Sequence, residues 1–418
     1  MTYANYRVNE RIFMLDCGRK YFTPAWIKRL IDEIREAGFN TINMHFAEDM
    51  AIRLESKKFP WLAGGDHTLC GFGPQHGRPE DDGKYLTQDD MRDIVKYAFE
   101  HGVNVIPSLD SPGHMTYTVM RYKQNVGRDI GMYFHKHGKV AIVQAGGESA
   151  EGARARYSSS IDIINPEALA FVKELYTEYG TFFRELGCTA FDIGGDEILG
   201  WGDAGSIDKT VPKWSNLDHW EAYAKAVTGN ENAVAYDAFL LYFNDIAAHL
   251  RSLGYTSIRM WNDDVCRHVD TGWQEVVQLD KSIGLQFWSS HTNNDSNTAK
   301  FYLDRGYGLY NFCRAYNYYT MYPAGSSFSS SYVTPEAIMK EWTPYTFTPK
   351  DSVCDTKGNE YIFPKFNPGN HIEAPDARIK GAGFCLWTDT PAAATEDELL
   401  ERIRPYFTAF GKKASGEA

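Results

Sequence analysis

Apolar and polar residues alternate along this chain in a repeating unit. A short run rich in β-branched and aromatic residues ends in polar residues, and a longer stretch with apolar positions three and four apart follows it. The short runs predict strands over 12–17, 41–46, 104–109, 190–193, 257–261, 283–288, 309–312 and 383–387. The longer stretches predict helices over 24–37, 88–101, 166–186, 233–253, 298–305 and 396–410. Pro24 and Pro166 occupy first-turn positions behind Thr23 and Asn165, which are suited to cap a helix N-terminus. Gly38 and Gly187 stand where a helix ends in a left-handed residue. Strands alternating with helices over this length predict α/β architecture: a single (β/α)8 TIM barrel spanning residues 1–418, with a doubly wound sheet as the alternative. Three connections, 47–87, 111–165 and 313–380, are too long to be mere links. Each follows a strand, so in a barrel each rises from the face that carries active sites.

Composition narrows the function. Among 418 residues, 43% are apolar and 23% charged, the balance of a folded globular chain. A net charge of -12 argues against nucleic acid as a partner. No apolar run approaches the ~20 residues of a membrane span. The seven cysteines are scattered and form neither a metal-type pair nor a disulfide framework, so they are expected to be mostly free and buried. Residues 1–7 lack a basic, apolar leader, so a cytoplasmic location is expected, or a secreted or cell-surface one if a leader has been removed. Ten Trp, 26 Tyr and 24 Phe supply the flat rings that sugar clefts use.

Candidate chemistry gathers at the predicted strand ends. The sharpest segment is Phe191-Asp192-Ile193-Gly194-Gly195-Asp196-Glu197, in which two adjacent acids follow a glycine pair. Taken alone it reads as a solvated strand end. Strand one runs into Asp16-Cys17-Gly18-Arg19, strand two into His45-Phe46-Ala47-Glu48-Asp49, and strand three into Asp110-Ser111-Pro112-Gly113-His114. Strand five ends Trp261-Asn262-Asp263, strand six at Trp288, and strand eight at Trp387-Thr388-Asp389. Acids, an arginine, a histidine and three tryptophans on one face describe a sugar pocket, with paired carboxylates for acid–base work. The bland alternatives are an Arg19 that merely pairs with Asp16 or Glu48, a His114 that caps a turn, and tryptophans that fill the core.

These motifs resemble glycoside hydrolase family 20, the β-N-acetylhexosaminidases and lacto-N-biosidases. Leu15-Asp16-Cys17-Gly18-Arg19 is similar to the family's first-strand motif, Asp110-Ser111-Pro112-Gly113-His114 to its Asp-x-Pro-Gly-His motif, and Gly194-Gly195-Asp196-Glu197 to its catalytic signature. Trp261, Trp288 and the Trp387-x-Asp389 pair fall at its pocket positions. Two departures stand out: Asp192 where relatives often carry histidine, and Glu48-Asp49 where they often carry two aspartates.

The resemblance implies a retaining exo-β-N-acetylhexosaminidase without cofactor or metal, acting on N-acetylated oligosaccharides or glycans. The substrate's own acetamido group would be the nucleophile. It implies catalytic roles for Asp196, Glu197 and a tyrosine, for which Tyr318 is preferred over Tyr319 and Tyr316. It implies substrate binding by Arg19, Glu48, His114, Trp261, Trp288, Trp387 and Asp389. Three alternatives remain: a lacto-N-biosidase releasing a disaccharide, a sugar-binding barrel without catalysis, and a metal-dependent hydrolase built on His45 and His114. The last lacks any His-x-His or His-Glu-x-x-His spacing.

Overall fold

The structure, a computed structural model, describes residues 7–136, 139–142, 156–198, 218–262, 265–266, 275–288, 298–323, 325–326, 329–349, 353–354, 360–361, 368–373 and 375–417. The predicted Asp263 lies outside them, as do parts of the predicted 111–165 and 313–380 connections.

Eight parallel strands form the centre: β1 (Glu10–Asp16), β2 (Thr41–His45), β3 (Asn104–Ser108), β4 (Ala190–Asp192), β5 (Ser257–Trp261), β6 (Ile283–Phe287), β7 (Leu309–Asn311) and β8 (Ile379–Trp387). Each pairs with the next, and β1 pairs with β8, so the sheet closes into a (β/α)8 barrel. Most predicted strands run one residue too far, as at Cys17, Phe46 and Leu109, because the chain leaves the ladder there and turns into the loops. β8 instead begins earlier than predicted, at Ile379, since β7 pairs with that end through a register shift between Leu309 and Tyr310.

Helices α1 (Pro24–Glu36), α2 (Gln88–Glu100), α3 (Thr116–Val126), α4 (Pro166–Glu185), α5 (Asp218–Thr228), α6 (Ala235–Ser252), α7 (Ala299–Asp304), α8 (Arg314–Asn317), α9 (Pro335–Glu341) and α10 (Glu396–Ser415) accompany the strands. The caps act as their sequences suggest. Thr23 accepts from the Trp26 amide at the start of α1, and Asn165 accepts from Glu167 and Ala168 at the start of α4. Helices α3, α5, α8 and α9 were not predicted; they lie within or beside the long connections. The β2–α2 connection also carries a small antiparallel sheet of Ala47–Glu48, Ala51–Ile52 and Gly64–Gly65. None of the described helices is long and apolar enough to cross a membrane. Six of the seven cysteines are free and buried, as expected; the side chain of Cys354 lies outside the description.

Two apolar clusters follow from the alternation of each strand. Phe13, Leu15, Ile42 and Met44 point outward to the helices, whereas Ile12, Met14, Trp261, Trp288, Tyr310, Phe312, Tyr318, Cys385 and Trp387 form a separate cluster in and above the barrel. Polar groups inside the barrel are paired in levels. At the bottom, Arg259 Nη2 donates to both Glu10 carboxylate oxygens at 2.7 and 2.8 Å, and the guanidinium lies 4.1 Å from the Tyr310 ring centroid. Higher up, Asp192 Oδ2 accepts from Asn43 Nδ2 at 2.8 Å and Gln286 Nε2 at 3.0 Å. The strands are in register at their upper ends, with Asp16 opposite His45, His45 opposite Ser108, and Ser108 opposite Asp192. That alignment brings the loops after β1, β2, β3 and β4 to one place.

Removing one member of a buried ion pair strands the other, at a cost of about 3 kcal/mol. Glu10→Gln leaves the Arg259 guanidinium, whose side chain is 3% exposed, without a counter-charge. Chemical denaturation should show a loss of about that size, with the far-UV circular dichroism of the native state unchanged; unaltered stability would mean that the Tyr310 face alone satisfies Arg259.

Candidate active site

The site forms where four strand ends meet, and its backbone is bent to make it. Gly194 has φ +67° and Gly195 φ +93°, conformations open to glycine. A Cβ on Gly194 would lie 1.5 Å from Asp110 Oδ1, so only glycine admits the β3 loop. The Gly195 amide donates to the same Asp110 oxygen at 3.2 Å. His114 and Glu197 also have positive φ, +52° and +47°, which is strained for residues with a Cβ and is held by the surrounding structure. Ser111 anchors the β3 loop from below, its hydroxyl 2.6 Å from the Tyr176 hydroxyl and 2.8 Å from that of Tyr242.

A line of alternating charge crosses the site. The Arg19 guanidinium meets Asp16 Oδ2 at 2.8 Å and Glu48 Oε1 at 2.6 Å. Glu48 Oε2 lies 3.1 Å from His114 Nδ1 and accepts the Asp49 amide at 2.7 Å. Across the ring, His114 Nε2 is 3.5 Å from Asp196 Oδ2 and 3.6 Å from Glu197 Oε2. Burial alone would favour the neutral form of each group. Against burial, Arg19 and His114 hold the Glu48 carboxyl well below the ordinary carboxylate range. Likewise Glu48 and Asp196 overcome burial to raise the His114 imidazole well above its ordinary value, so it stays protonated. Asp110 and Asp196 go the other way. Burial pushes both carboxyls well above their usual range, and for Asp196 the Asp110 charge adds to the effect.

Arg19 therefore has both structural partners that the sequence suggested, and its side chain remains 14% exposed beside Trp387, with Cζ 5.4 Å from the ring centroid. Glu48, longer than aspartate by a methylene, reaches Arg19 and His114 at once. Asp192, the other departure, is buried among Asn43 and Gln286 and points into the barrel.

The aromatic wall stands opposite. Trp288 stacks on Tyr318 with planes 11° apart and centroids separated by 6.4 Å. Trp387 tilts against both Tyr318 and Trp261, at 5.8 and 6.0 Å. Tyr318 feels the Asp196 charge, which adds to burial in raising its phenol well above the ordinary value. Tyr316 and Tyr319 belong to the outer cluster instead, beside Glu341 and Tyr406 respectively. Of the three candidate tyrosines, Tyr318 is the one placed with the tryptophans. It lies on a three-residue strand, Tyr318–Thr320, that pairs with the upper end of β8. Asp389 follows β8, its carbonyl accepting from the Cys70 thiol at 3.4 Å.

Residues outside the expected set take part as well. His45 bridges Ser108, at 3.0 Å, towards Glu48 and Asp110, at 3.6 and 3.8 Å. Asp49 accepts from the Thr116 amide and hydroxyl and so pins the start of α3. Lys20 is fully buried and donates to the Pro391 and Ala394 carbonyls, each at 2.9 Å, tying the β1 loop to the β8 loop; burial pushes its pKa down to about 8. Asp110 and His45 stood within the strand-end motifs; Lys20 carried no signal beyond its neighbour Arg19.

Folding also collects possible metal ligands that the sequence keeps apart. His45-Glu48-Asp110, Glu48-Asp49-His114 and Asp110-His114-Asp196 each have ligand atoms within 4.8 Å of one another. A metal there would have to expel the His114 proton and compete with Arg19 for Glu48. The present pairing answers to ion pairs.

Known proteins resemble the chain throughout. The description "Glycosyl hydrolase family 20, catalytic domain" matches residues 9–411. The beta-hexosaminidase subunit A1 of Dictyostelium discoideum is 26% identical over 67% of this chain and 41% of its own length. The lacto-N-biosidase of Bifidobacterium bifidum is 24% identical over 78% of this chain and 24% of its own. The chain thus spans less than half the length of either relative. Among solved structures, dispersin B superposes with a TM-score of 0.64 at 20% identity, covering 97% of this chain and 98% of that one. An exo beta-N-acetylglucosaminidase from Vibrio harveyi, in complex with N-acetylglucosamine, gives 0.67 at 19% identity over 98% of this chain and 54% of its own.

The raised carboxyls generate a stability signature. A carboxyl whose pKa is higher in the folded than in the unfolded chain holds its proton more tightly when folded. Its stabilising contribution is complete below pH ~4 and is lost as pH rises through the folded value. Asp196→Asn abolishes that loss. Its Tm should match that of the unsubstituted protein near pH 4 and exceed it by about 2 °C or more at pH 7, measured by calorimetry across pH; a Tm that falls at pH 7 would show that the carboxylate is net stabilising.

Proposed function

The chain belongs to glycosyl hydrolase family 20, and on that premise we propose that it is a retaining exo-β-N-acetylhexosaminidase that removes terminal β-linked GlcNAc or GalNAc through the substrate's own acetamido group. The observation that carries this reading is the adjacent pair Asp196-Glu197 beneath the tryptophan wall. Asp196 is buried, with Oδ1 lacking a hydrogen-bond partner, while the Glu197 side chain is 25% exposed. One acid is suited to hold a substrate group, the other to exchange protons.

In this reading Asp196 Oδ1 accepts the acetamido N–H and the Tyr318 hydroxyl steadies the acetamido oxygen. That oxygen attacks the anomeric carbon as Glu197 gives its proton to the departing glycosidic oxygen. A cyclic oxazolinium results, and the Asp196 charge offsets its positive charge. Glu197, now a carboxylate, takes a proton from the water that opens the ring from the vacated face, so configuration is retained overall. Trp261, Trp288 and Trp387 wall the sugar, and Arg19 and Asp389 face its outer hydroxyls. Glu48 and His114 act at one remove, fixing Arg19 and Asp196. The proton on His114 favours the ionised form of Asp196 at the moment positive charge develops.

The similarity to a lacto-N-biosidase over 78% of this chain supports a second reading, release of a disaccharide. Both readings share the acetamido chemistry and differ in product.

Glu197→Gln should lose about 10²–10⁴-fold in kcat on a chromogenic N-acetylglucosaminide while still binding a thiazoline mimic of the cyclic intermediate. Turnover near that of the unsubstituted protein would sink the assignment, and absence of turnover by the unsubstituted protein on every β-N-acetylhexosaminide would leave a sugar-binding barrel. Anomeric configuration followed by NMR should show retention. Given lacto-N-tetraose and a panel of terminal GlcNAc and GalNAc oligosaccharides, the protein should release single N-acetylhexosamines; lacto-N-biose as first product would select the disaccharide reading.

A further inference from the structure

Arg314 is a cation without an acid. It opens α8 just past β7, where its amide donates to the Trp288 carbonyl at 3.1 Å. The guanidinium lies over the Tyr332 ring, with Cζ 5.1 Å from the centroid, and is only partly exposed. Among the described residues no carboxylate forms an ion pair with it, whereas Arg19 in the same pocket has two. Burial works to lower its pKa, yet the phenols of Tyr332, Tyr322 and Tyr318 around it raise it. The group stays charged.

Its place is the side of the pocket that holds Tyr318 and Asp389. Tyr322 lies within the field of Asp389 and meets Phe72 edge-on at 5.7 Å. The chain joining Tyr318 to Tyr322 is fastened to the β8 end, with the Met321 amide on the Trp387 carbonyl at 2.9 Å and the Thr390 hydroxyl on the Met321 carbonyl at 2.6 Å. That edge is where the reading above puts the outer hydroxyls of the terminal sugar. Withdrawing a guanidinium from water costs free energy unless acceptors meet it. The Tyr332 face returns part of that cost but offers no oxygens for the planar fork of N–H donors.

We propose that Arg314 receives an anionic ester, sulfate or phosphate, carried on an outer hydroxyl of the terminal N-acetylhexosamine, so that the pocket accepts charged as well as neutral sugars. The fork matches two oxygens of a sulfate or phosphate group. The Asp389 carboxylate works against an anion, and its neighbour Arg19 offsets that charge. The proposal rests on the hexosaminidase reading.

The test compares kcat/KM for 4-nitrophenyl β-N-acetylglucosaminide with its 6-O-sulfate and 6-O-phosphate, in the unsubstituted protein, Arg314→Met and Arg314→Lys. The unsubstituted protein should cleave the neutral substrate and at least one ester, and whichever ester it prefers identifies the anion. In Arg314→Met the ratio of ester to neutral kcat/KM should fall about 10- to 100-fold, the range of a lost hydrogen bond to a charged group. Arg314→Lys should recover part of that ratio. If the neutral sugar is cleaved but neither ester is, or if Arg314→Met lowers all three equally, Arg314 is a structural cation; the proposal fails and the hexosaminidase reading stands. If none of the three is cleaved, both fall.

Discussion

The protonated imidazole of His114 is the interaction on which this site depends. Glu48 and Asp49 lie on one side of the ring and Asp196 and Glu197 on the other, all within 3.6 Å of a ring nitrogen. Four acids so close could not share a buried space without a cation between them. Arg19 closes one end of the line, which then reads plus, minus, plus, minus from Arg19 to Asp196. The left-handed turn at His114 and the glycine pair before Asp196 serve this line, since they bring the β3 and β4 loops together around it.

The barrel was largely legible in the sequence, and for a physical reason. Strands such as Thr41–His45 are buried on both faces and read as unbroken apolar runs, and helices such as α1 and α4 announce themselves through cap and first-turn proline. What escaped is decided by contacts distant in sequence. Helix α3 begins Thr-Tyr-Thr-Val, a β-type run, and is helical because Asp49, 67 residues earlier, takes its first free amide and hydroxyl. The strand Tyr318–Thr320 exists only because β8 offers it an edge.

The site shows the same division. Its residue types stood at the strand ends, where the barrel's register brings them level. Their pairings could not be read there: that Arg19 would reach both Asp16 and Glu48, or that Asp192 would turn to Asn43, 149 residues away, and into the barrel. The choice among Tyr316, Tyr318 and Tyr319 depended likewise on which of them shares a cluster with the tryptophans. Stability and chemistry pull apart at this point. Asp110 and Asp196 are carried in surroundings that disfavour their charge, and the paired levels below, Asp192 with its amides and Arg259 with Glu10, form the firm base on which that strain rests.

The absence of a side chain at Gly194 has a consequence for anyone reshaping the pocket by random variation. A Cβ there overlaps an oxygen of Asp110, a residue already committed to the next amide. The obstacle is a fixed neighbour rather than a flexible tip, so no second change nearby relieves it. Libraries that diversify this position will return mostly unfolded clones, whatever selection is applied. The variable ground lies on the opposite wall, where partly exposed aromatic residues such as Phe72, Tyr322 and Tyr332 carry no such constraint on their Cβ atoms.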